Sequence, residues 1–155
     1  MRLSRHNMFM DIAHIVAKRG TCPRMCVGAV VVVNNRPVSI GYNGAPSGKP
    51  HCTEVGCLIT SPDGGCQRTT HAEINALDFA HMIDAVRKTL YVTLSPCMEC
   101  AAEIIERGVT EVYFDVTYRD TMPVVHLMDK GVKVCRVLPN GYIIDGQTGD
   151  LIEAD

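Results

Sequence analysis

The sequence lacks any run of apolar residues as long as the roughly 18 that a helix needs to cross a bilayer. It also lacks a basic excess, because 15 Lys and Arg stand against 17 Asp and Glu, for a formal net charge of −2. Proteins that bind long nucleic acids depend on phosphate contacts and usually carry a basic surface. We therefore expect that the protein neither spans a membrane nor binds nucleic acid. A small anionic ligand is still compatible with this charge, because its binding needs only one or two arginines.

We also expect no secretion signal in the first residues, since Asp11 and His14 interrupt the apolar segment that such a signal requires. Eight cysteines could belong to a secreted disulfide scaffold. The chain has 155 residues, 46% of them hydrophobic, so it can bury a core without such cross-links. We expect a cytoplasmic protein, in which clustered cysteines indicate metal binding.

The chain shows no repeats and no linker, and we expect a single domain over residues 1–155 with a core of about 6–138. Apolar periodicity predicts helices at 6–18, 71–82, 96–107 and 121–130, and strands at 27–33, 37–42, 89–94, 109–116 and 132–138. Asn34 and Asn35 suit a tight turn between the first two strands. The short tail, 139–155, is compatible with a hairpin. Strands that alternate with helices predict an α/β layered fold.

Two short segments carry the chemistry: His71-Ala72-Glu73 and Pro96-Cys97-Met98-Glu99-Cys100. Each one begins a predicted helix. One imidazole and two thiolates would supply three zinc ligands, and a catalytic zinc keeps its fourth position for water, whose pKa it lowers to about 7. Glu73 is then a proton carrier and not a ligand, provided that the metal lies at the mouth of the helix.

Each segment alone has a structural alternative. Thr70 and Glu73 fit a helix capping box. Cys97 and Cys100 fit half of a structural zinc site or a pair of buried thiols. The two segments together are far more specific, because H-x-E followed by P-C-x-x-C is the signature of the zinc deaminases.

The sequence resembles the cytidine and deoxycytidylate deaminase superfamily, and specifically the deoxycytidylate deaminases, from about residue 20 to 138. The landmarks are the segments Val27-Gly28-Ala29-Val30-Val31, Gly41-Tyr42-Asn43-Gly44-Ala45-Pro46, His71-Ala72-Glu73-Ile74-Asn75-Ala76 and Leu90-Tyr91-Val92-Thr93-Leu94-Ser95-Pro96-Cys97. The segment from Gly41 to Pro46 discriminates this branch from others.

The resemblance implies a three-layer α/β/α fold around a five-stranded mixed sheet. It implies zinc-dependent conversion of dCMP to dUMP, a homo-hexamer, and dCTP and dTTP as effectors, with Mg²⁺ accompanying such a nucleotide. It places the zinc ligands on His71, Cys97 and Cys100 and the proton shuttle on Glu73. The implied substrate contacts are Asn43, which would contact the sugar, Ala72, Ser95 and Tyr118.

Two other functions share these motifs. A tRNA adenosine deaminase uses the same zinc signature, although the acidic net charge and the Gly41–Pro46 segment disfavour it. A non-catalytic zinc module that binds a nucleotide or a protein is the second alternative. Acceptance of dCTP in place of dCMP also stays open.

A second group of cysteines lies around the long segment 44–69, which has no periodicity and needs an internal link to stay ordered. Cys22, Cys52, Cys57 and Cys66 could close a structural zinc site. His51 is a competing ligand beside Cys52, and four unlinked buried thiols are the plainer alternative.

A nucleotide phosphate needs cationic donors. Arg119 follows a strand end, where α/β folds place ligands, and we rank it first for the substrate. Arg24 is favoured for an effector and Arg68 is a weaker candidate. Each of the three is by default an ordinary solvated arginine.

Overall fold

A computed structural model describes residues 2–62 and 64–155 of the protein. The strands are β1 (Gly28–Val33), β2 (Arg36–Tyr42), β3 (Thr89–Leu94), β4 (Glu111–Val116), β5 (Lys133–Val137), β6 (Tyr142–Asp145) and β7 (Leu151–Glu153). The helices are α1 (Arg5–Ala17), α2 (Cys52–Val55), α3 (Ala72–Ala80), α4 (Met98–Glu106) and α5 (Met122–Asp129). Each predicted helix and strand is present, and α2 is an additional short helix in the long loop.

One mixed sheet contains all seven strands in the order β2-β1-β3-β4-β5-β6-β7. The pairs β3–β4 and β4–β5 are parallel, and the other neighbours are antiparallel. The resemblance implied a sheet of five strands, and this number is wrong because the sheet has seven. The tail forms a hairpin, as its turns suggested, but this hairpin also joins the edge of β5 and so adds β6 and β7 to the sheet.

Helices cover both faces of the sheet, which confirms the three-layer α/β/α architecture. On one face α1 packs against β1 and β3 around Phe9, Tyr91 and Tyr113. On the other face α3, α4 and α5 enclose a larger apolar cluster that includes Leu77 and Ile104. No helix within the described ranges has the length and apolar character needed to span a bilayer.

The hairpin of β1 and β2 follows directly from the sequence. All six residues of β1 are buried, as a continuous apolar run predicts for a central strand. Asn34 and Asn35 have φ of 51° and 59°, the left-handed values that a two-residue type I′ turn requires.

Gly41 in β2 allows α3 to lie close to the sheet. A Cβ atom at this position would be 2.3 Å from the Ala72 carbonyl oxygen and 2.4 Å from the Ala76 nitrogen. Any side chain here would displace the first turn of α3. Glycine therefore sets the position of the helix that carries His71 and Glu73.

Candidate active site

The start of α3 places a histidine and a glutamate at one end of the sheet. His71 is the N-cap of α3, with φ −70° and ψ 153°, and its side chain makes no capping hydrogen bond. The alternative in which Thr70 caps the helix is wrong, because the cap falls one residue later. Glu73 consequently lies in the first turn, and the His71 imidazole is not engaged in capping the helix.

The start of α4 brings two cysteines to the same place. Cys97 is the N-cap of α4 and Cys100 lies in its first turn. His71 Nδ1 is 3.2 Å from Cys100 Sγ and 3.5 Å from Cys97 Sγ. The three ligand atoms lie within 4.8 Å of one another. Two helix N-termini thus converge on one nitrogen and two sulfurs.

These three side chains titrate as a unit. A hydrogen bond from Cys100 lowers the pKa of Cys97 to about 4, while the same pairing and burial raise the pKa of Cys100. The hydrogen bond with Cys97 raises the pKa of His71 to about 9. Two thiolates this close repel each other, so both ionise only with a cation between them. An N, S, S donor set at this spacing fits zinc with an open fourth position.

Glu73 lies beside this cluster and is 5% exposed. Burial raises the pKa of its carboxyl group, and the neighbouring His71 opposes that shift. A carboxyl group with a raised pKa exchanges protons nearer to neutral pH than an exposed one does. The arrangement suits a proton carrier next to a metal.

A cavity of about 250 Å³ opens over the cluster. His71, Glu73 and Cys97 lie in its wall. The other residues that the sequence singled out and that line it are Asn43, Ala72, Ser95, Tyr118, Arg119, Arg24, Cys22 and Cys66. Val27 and Leu94, which belong to the landmark segments but had no role assigned to them, also line the cavity. Met25, Gly65 and Thr69 line it as well, and no motif marks these three residues, which reach the cavity only through the fold.

The side chain of Asn43 holds the segment that forms one wall of the cavity. Its Oδ1 accepts from the Val27 N–H at 2.8 Å, and its Nδ2 donates to the Met25 carbonyl at 2.7 Å. The amide of Asn43 is therefore occupied on both sides by main-chain groups. One N–H and one oxygen lone pair remain for a ligand.

The cavity wall also contains Tyr118 and Arg119, which follow β4. The Tyr118 N–H donates to Ser95 Oγ at 2.7 Å, and Arg119 Cζ lies 5.2 Å from the centre of the Tyr118 ring. Arg68 has a different environment, since its Nε donates to the Gly56 carbonyl at 3.0 Å, in the cysteine-rich loop.

The second group of cysteines also converges. The sulfurs of Cys22, Cys52 and Cys57 lie within 4.8 Å of one another, and Cys66 Sγ is 3.5 Å from Cys52 Sγ. Cys66 Sγ also accepts the Leu58 N–H at 3.3 Å. Two of the four, Cys22 and Cys66, line the cavity as well. The cluster therefore borders the wall of the candidate site.

His51 lies next to this group in sequence. Its Nδ1 is buried and has no hydrogen-bond partner among the described residues. A nitrogen in that state is a possible ligand, so the choice between His51 and Cys66 as the fourth ligand depends on chemistry beyond spacing.

Comparison with known proteins agrees with this geometry. The family model described as "Cytidine and deoxycytidylate deaminase zinc-binding region" matches residues 3–116. "ComE operon protein 2" of Bacillus subtilis is 38% identical over 149 residues, which cover 93% of this chain and 77% of that protein. The deoxycytidylate deaminase of Schizosaccharomyces pombe is 32% identical, and the match covers 89% of this chain but only 45% of the yeast protein. The chain thus spans less than half the length of that relative.

A solved structure is similar over nearly the whole of its own length. The dCMP deaminase of cyanophage S-TIM5, crystallised with dCMP and dUMP, is 31% identical, with a TM-score of 0.75, and the match covers 88% of this chain and 99% of that chain. The residues that the family model matches, 3–116, contain both the His71-Ala72-Glu73 and the Pro96–Cys100 motifs. The chain belongs to the cytidine and deoxycytidylate deaminase family, whose members bind zinc through this region.

Proposed function

We propose that the protein is a zinc-dependent deaminase that hydrolyses dCMP to dUMP and ammonia. The observation that carries the proposal is the convergence of His71, Cys97 and Cys100 within 4.8 Å at two helix starts, with the buried Glu73 beside them. The choice of dCMP is supported by relatives that carry the name deoxycytidylate deaminase and by the similar phage enzyme with its bound dCMP and dUMP.

His71, Cys97 and Cys100 would hold the zinc ion, and three protein ligands would leave one coordination position for water. Zinc in such a site lowers the pKa of a coordinated water to about 7 and so supplies a nucleophile at neutral pH. His71 and Cys97 are half-buried and Cys100 is buried, which keeps bulk water away from the ligand set.

Glu73 would move the protons. Hydrolysis adds the oxygen of water to C4 of cytosine and breaks the bond from C4 to the amino nitrogen. Glu73 takes a proton from the attacking water and delivers a proton to the departing nitrogen, which leaves as ammonia. Its burial favours this exchange because the carboxyl group is sheltered from competing solvent.

The walls of the cavity would hold the rest of the nucleotide. Arg119 supplies a cation for the 5′-phosphate and stacks on Tyr118, which faces the same cavity. Asn43 offers its remaining amide N–H and oxygen lone pair to the sugar. Ala72 and Ser95 complete the wall beside the base.

A turnover assay tests the proposal. We expect the purified zinc protein to release ammonia from dCMP, and Glu73→Gln to lose about 10³-fold in kcat while it retains zinc. Glu111→Gln is the matched control, since Glu111 is also buried but accepts from the Tyr113 hydroxyl at 2.9 Å, away from the cavity.

The other candidate functions are outcomes of the same assay. Turnover of tRNA without turnover of dCMP would assign a tRNA adenosine deaminase. Absence of turnover, with equal nucleotide binding by the unmodified protein and Glu73→Gln, would assign a non-catalytic zinc module. Parallel assays with dCTP and deoxycytidine determine how many phosphates the site requires.

We further propose a structural zinc held by Cys22, Cys52, Cys57 and Cys66. The short distances between their sulfurs support it, and the Leu58 N–H that Cys66 accepts would stabilise a thiolate. Cys66 is preferred over His51 as the fourth ligand for this reason. Metal analysis should then give two zinc ions per chain.

Regulation by dCTP and dTTP is part of the proposal, with Mg²⁺ bound to the triphosphate. Arg24 lies in the cavity wall next to Cys22, where an effector phosphate could be bound. Arg68 is the weaker choice, since its guanidinium group is directed at Gly56.

We also propose a single-domain protomer, a homo-hexamer and a cytoplasmic location. One sheet that contains all seven strands, from β2 at one edge to β7 at the other, supports the single domain. Phe79, Met82 and Val86 are 81, 81 and 99% exposed, and such an apolar surface suits contact between subunits. None of the eight cysteines, all of which lie within the described residues, forms a disulfide, which suits a reducing compartment.

A further inference from the structure

The hydroxyl group of Ser95 joins two parts of the cavity wall that come from different elements. Ser95 follows β3 and is 3% exposed. Its main-chain N–H donates to the Val116 carbonyl at 2.9 Å, and its Oγ accepts from the Tyr118 N–H at 2.7 Å. One buried residue therefore attaches both the end of β4 and the segment after it to the end of β3.

The segment that Ser95 holds has little regular structure of its own. Residues 117–121 form neither helix nor strand, yet they carry Tyr118 and Arg119 into the cavity wall. The Arg119 guanidinium group stacks on the Tyr118 ring at 5.2 Å. A shift in the main chain of Tyr118 would consequently move both side chains relative to the cavity.

The other side of Ser95 is fixed to the metal ligands. Pro96 follows it and is fully buried, and Cys97 comes next as the N-cap of α4. A residue before proline is restricted to extended conformations, so little freedom remains between Ser95 and Cys97. Ser95 thus connects the candidate metal ligands to the Tyr118–Arg119 segment through a stretch of backbone that has little conformational freedom.

We propose that Ser95 is a positioning residue whose hydroxyl group sets the distance between the metal cluster and the Tyr118–Arg119 segment that holds the nucleotide phosphate. The inference rests on the proposed function for the role of Arg119. Removal of Oγ leaves the Tyr118 N–H without its acceptor and loosens the segment, whereas His71, Glu73 and Cys97 stay in place. We therefore expect the loss of the Ser95 hydroxyl group to weaken substrate binding and to leave the rate of the chemical step nearly unchanged.

Ser95→Ala and the matched control Thr93→Val test this role in the full-length zinc protein. Thr93 lies on β3, two residues before Ser95, and is 6% exposed. Its Oγ1 accepts the Gly28 N–H at 3.2 Å, so it makes the same kind of bond to a different element. We expect Ser95→Ala to raise KM for dCMP about tenfold with kcat within about twofold, which is the loss of one buried hydrogen bond. Thr93→Val should leave KM unchanged.

A double-mutant cycle separates positioning from direct contact. If Ser95 acts through Arg119, Ser95→Ala in an Arg119→Ala background adds no further increase in KM. Additive increases, a fall in kcat at constant KM, or equal effects of Ser95→Ala and Thr93→Val would overturn the proposal.

Amide hydrogen exchange provides a readout that needs no substrate. Exchange in a peptide that contains Tyr118 should be faster in Ser95→Ala than in the unmodified protein or in Thr93→Val, and equal rates in all three would refute the positioning role. If the unmodified protein does not act on dCMP while this exchange difference is present, the proposed substrate fails and the structural link remains.

Discussion

The two thiol clusters of this protein lie near one cavity but differ in what holds their side chains in place. His71, Cys97 and Cys100 lie at the starts of α3 and α4, which regular hydrogen bonds and packing define. Of the second cluster, only Cys52 belongs to a helix, and that helix has four residues. The first cluster is preorganised by the fold, whereas the second depends on contacts within the loop.

Burial shows the same difference. Ala101 and Ile104 on α4 are 0% exposed, so the helix that carries Cys97 is anchored in the core. Around the second cluster Val55, Leu58 and Ile59 are 54, 46 and 41% exposed, and the loop buries little apolar surface. A loop of this kind needs cross-links to remain ordered, and a metal with four thiolates provides them. This difference is the reason why we propose a chemical role for the first cluster and a stabilising role for the second.

Cys97→Ser should have the largest effect on activity. We expect loss of one zinc ion per chain and a fall in dCMP turnover of at least about 10³-fold, because one of three ligands to the catalytic metal is removed. The fold should remain, since α4 is held by its buried face. Metal analysis, ammonia release and thermal unfolding measure the three quantities together.

Cys52→Ser should have the opposite effect to Cys97→Ser: the catalytic site is retained, and the loss of stability is the largest of the variants considered. Loss of a ligand to the loop metal should lower stability by about 3 kcal/mol, or Tm by about 6–12 °C for a chain of this size. At a temperature where the variant is folded, its catalytic zinc should remain. If Tm is unchanged in Cys52→Ser, or falls less than it does in Cys97→Ser, the second cluster does not have the stabilising role that we propose for it.

The convergence of His71, Cys97 and Cys100 was predictable from sequence for a physical reason. The three residues occur in two short motifs, and each motif coincides with a helix start that apolar periodicity and Pro96 indicate. The fold class followed from alternating strands and helices in the same way. The motifs and the alternating strands and helices are each local in the chain, so the spacing of residues predicts the helix or strand on which each one lies.

Features that depend on distant pairing were not predictable. The hairpin of the tail was expected, but its addition to β5 depends on which edge of the sheet is free. The amide of Asn43 was expected to contact the sugar, and no pattern indicated that it binds Met25 and Val27. Thr70 had the sequence of a cap, but the structure begins α3 one residue later, with His71 as the N-cap.

Asn43→Ala tests the link between the two regions. Its amide ties the segment after Cys22 to the cavity wall, so we expect a higher KM for dCMP and a fall in Tm of about 4–8 °C, for a loss of about 2 kcal/mol. Asn7→Ala is the matched control, because the buried Asn7 donates from Nδ2 to the Leu138 carbonyl at 2.9 Å, at the base of the tail. A comparable fall in Tm at constant KM is expected there. If both variants raise KM equally, the effect is one of global stability.

Arg68→Ala should have the smallest effect and shows whether hydrogen bonds or metal hold the loop. The Arg68 Nε–H donates to the Gly56 carbonyl at 3.0 Å in an exposed position, and the loss of one solvent-accessible bond contributes little. We expect Tm within about 1 °C and KM for dCMP within about twofold of the unmodified protein. Arg24→Ala provides the contrast, since Arg24 lines the cavity and its loss should alter the response to dCTP. A fall in Tm for Arg68→Ala as large as that for Cys52→Ser would mean that side-chain bonds, and not a metal, order the loop.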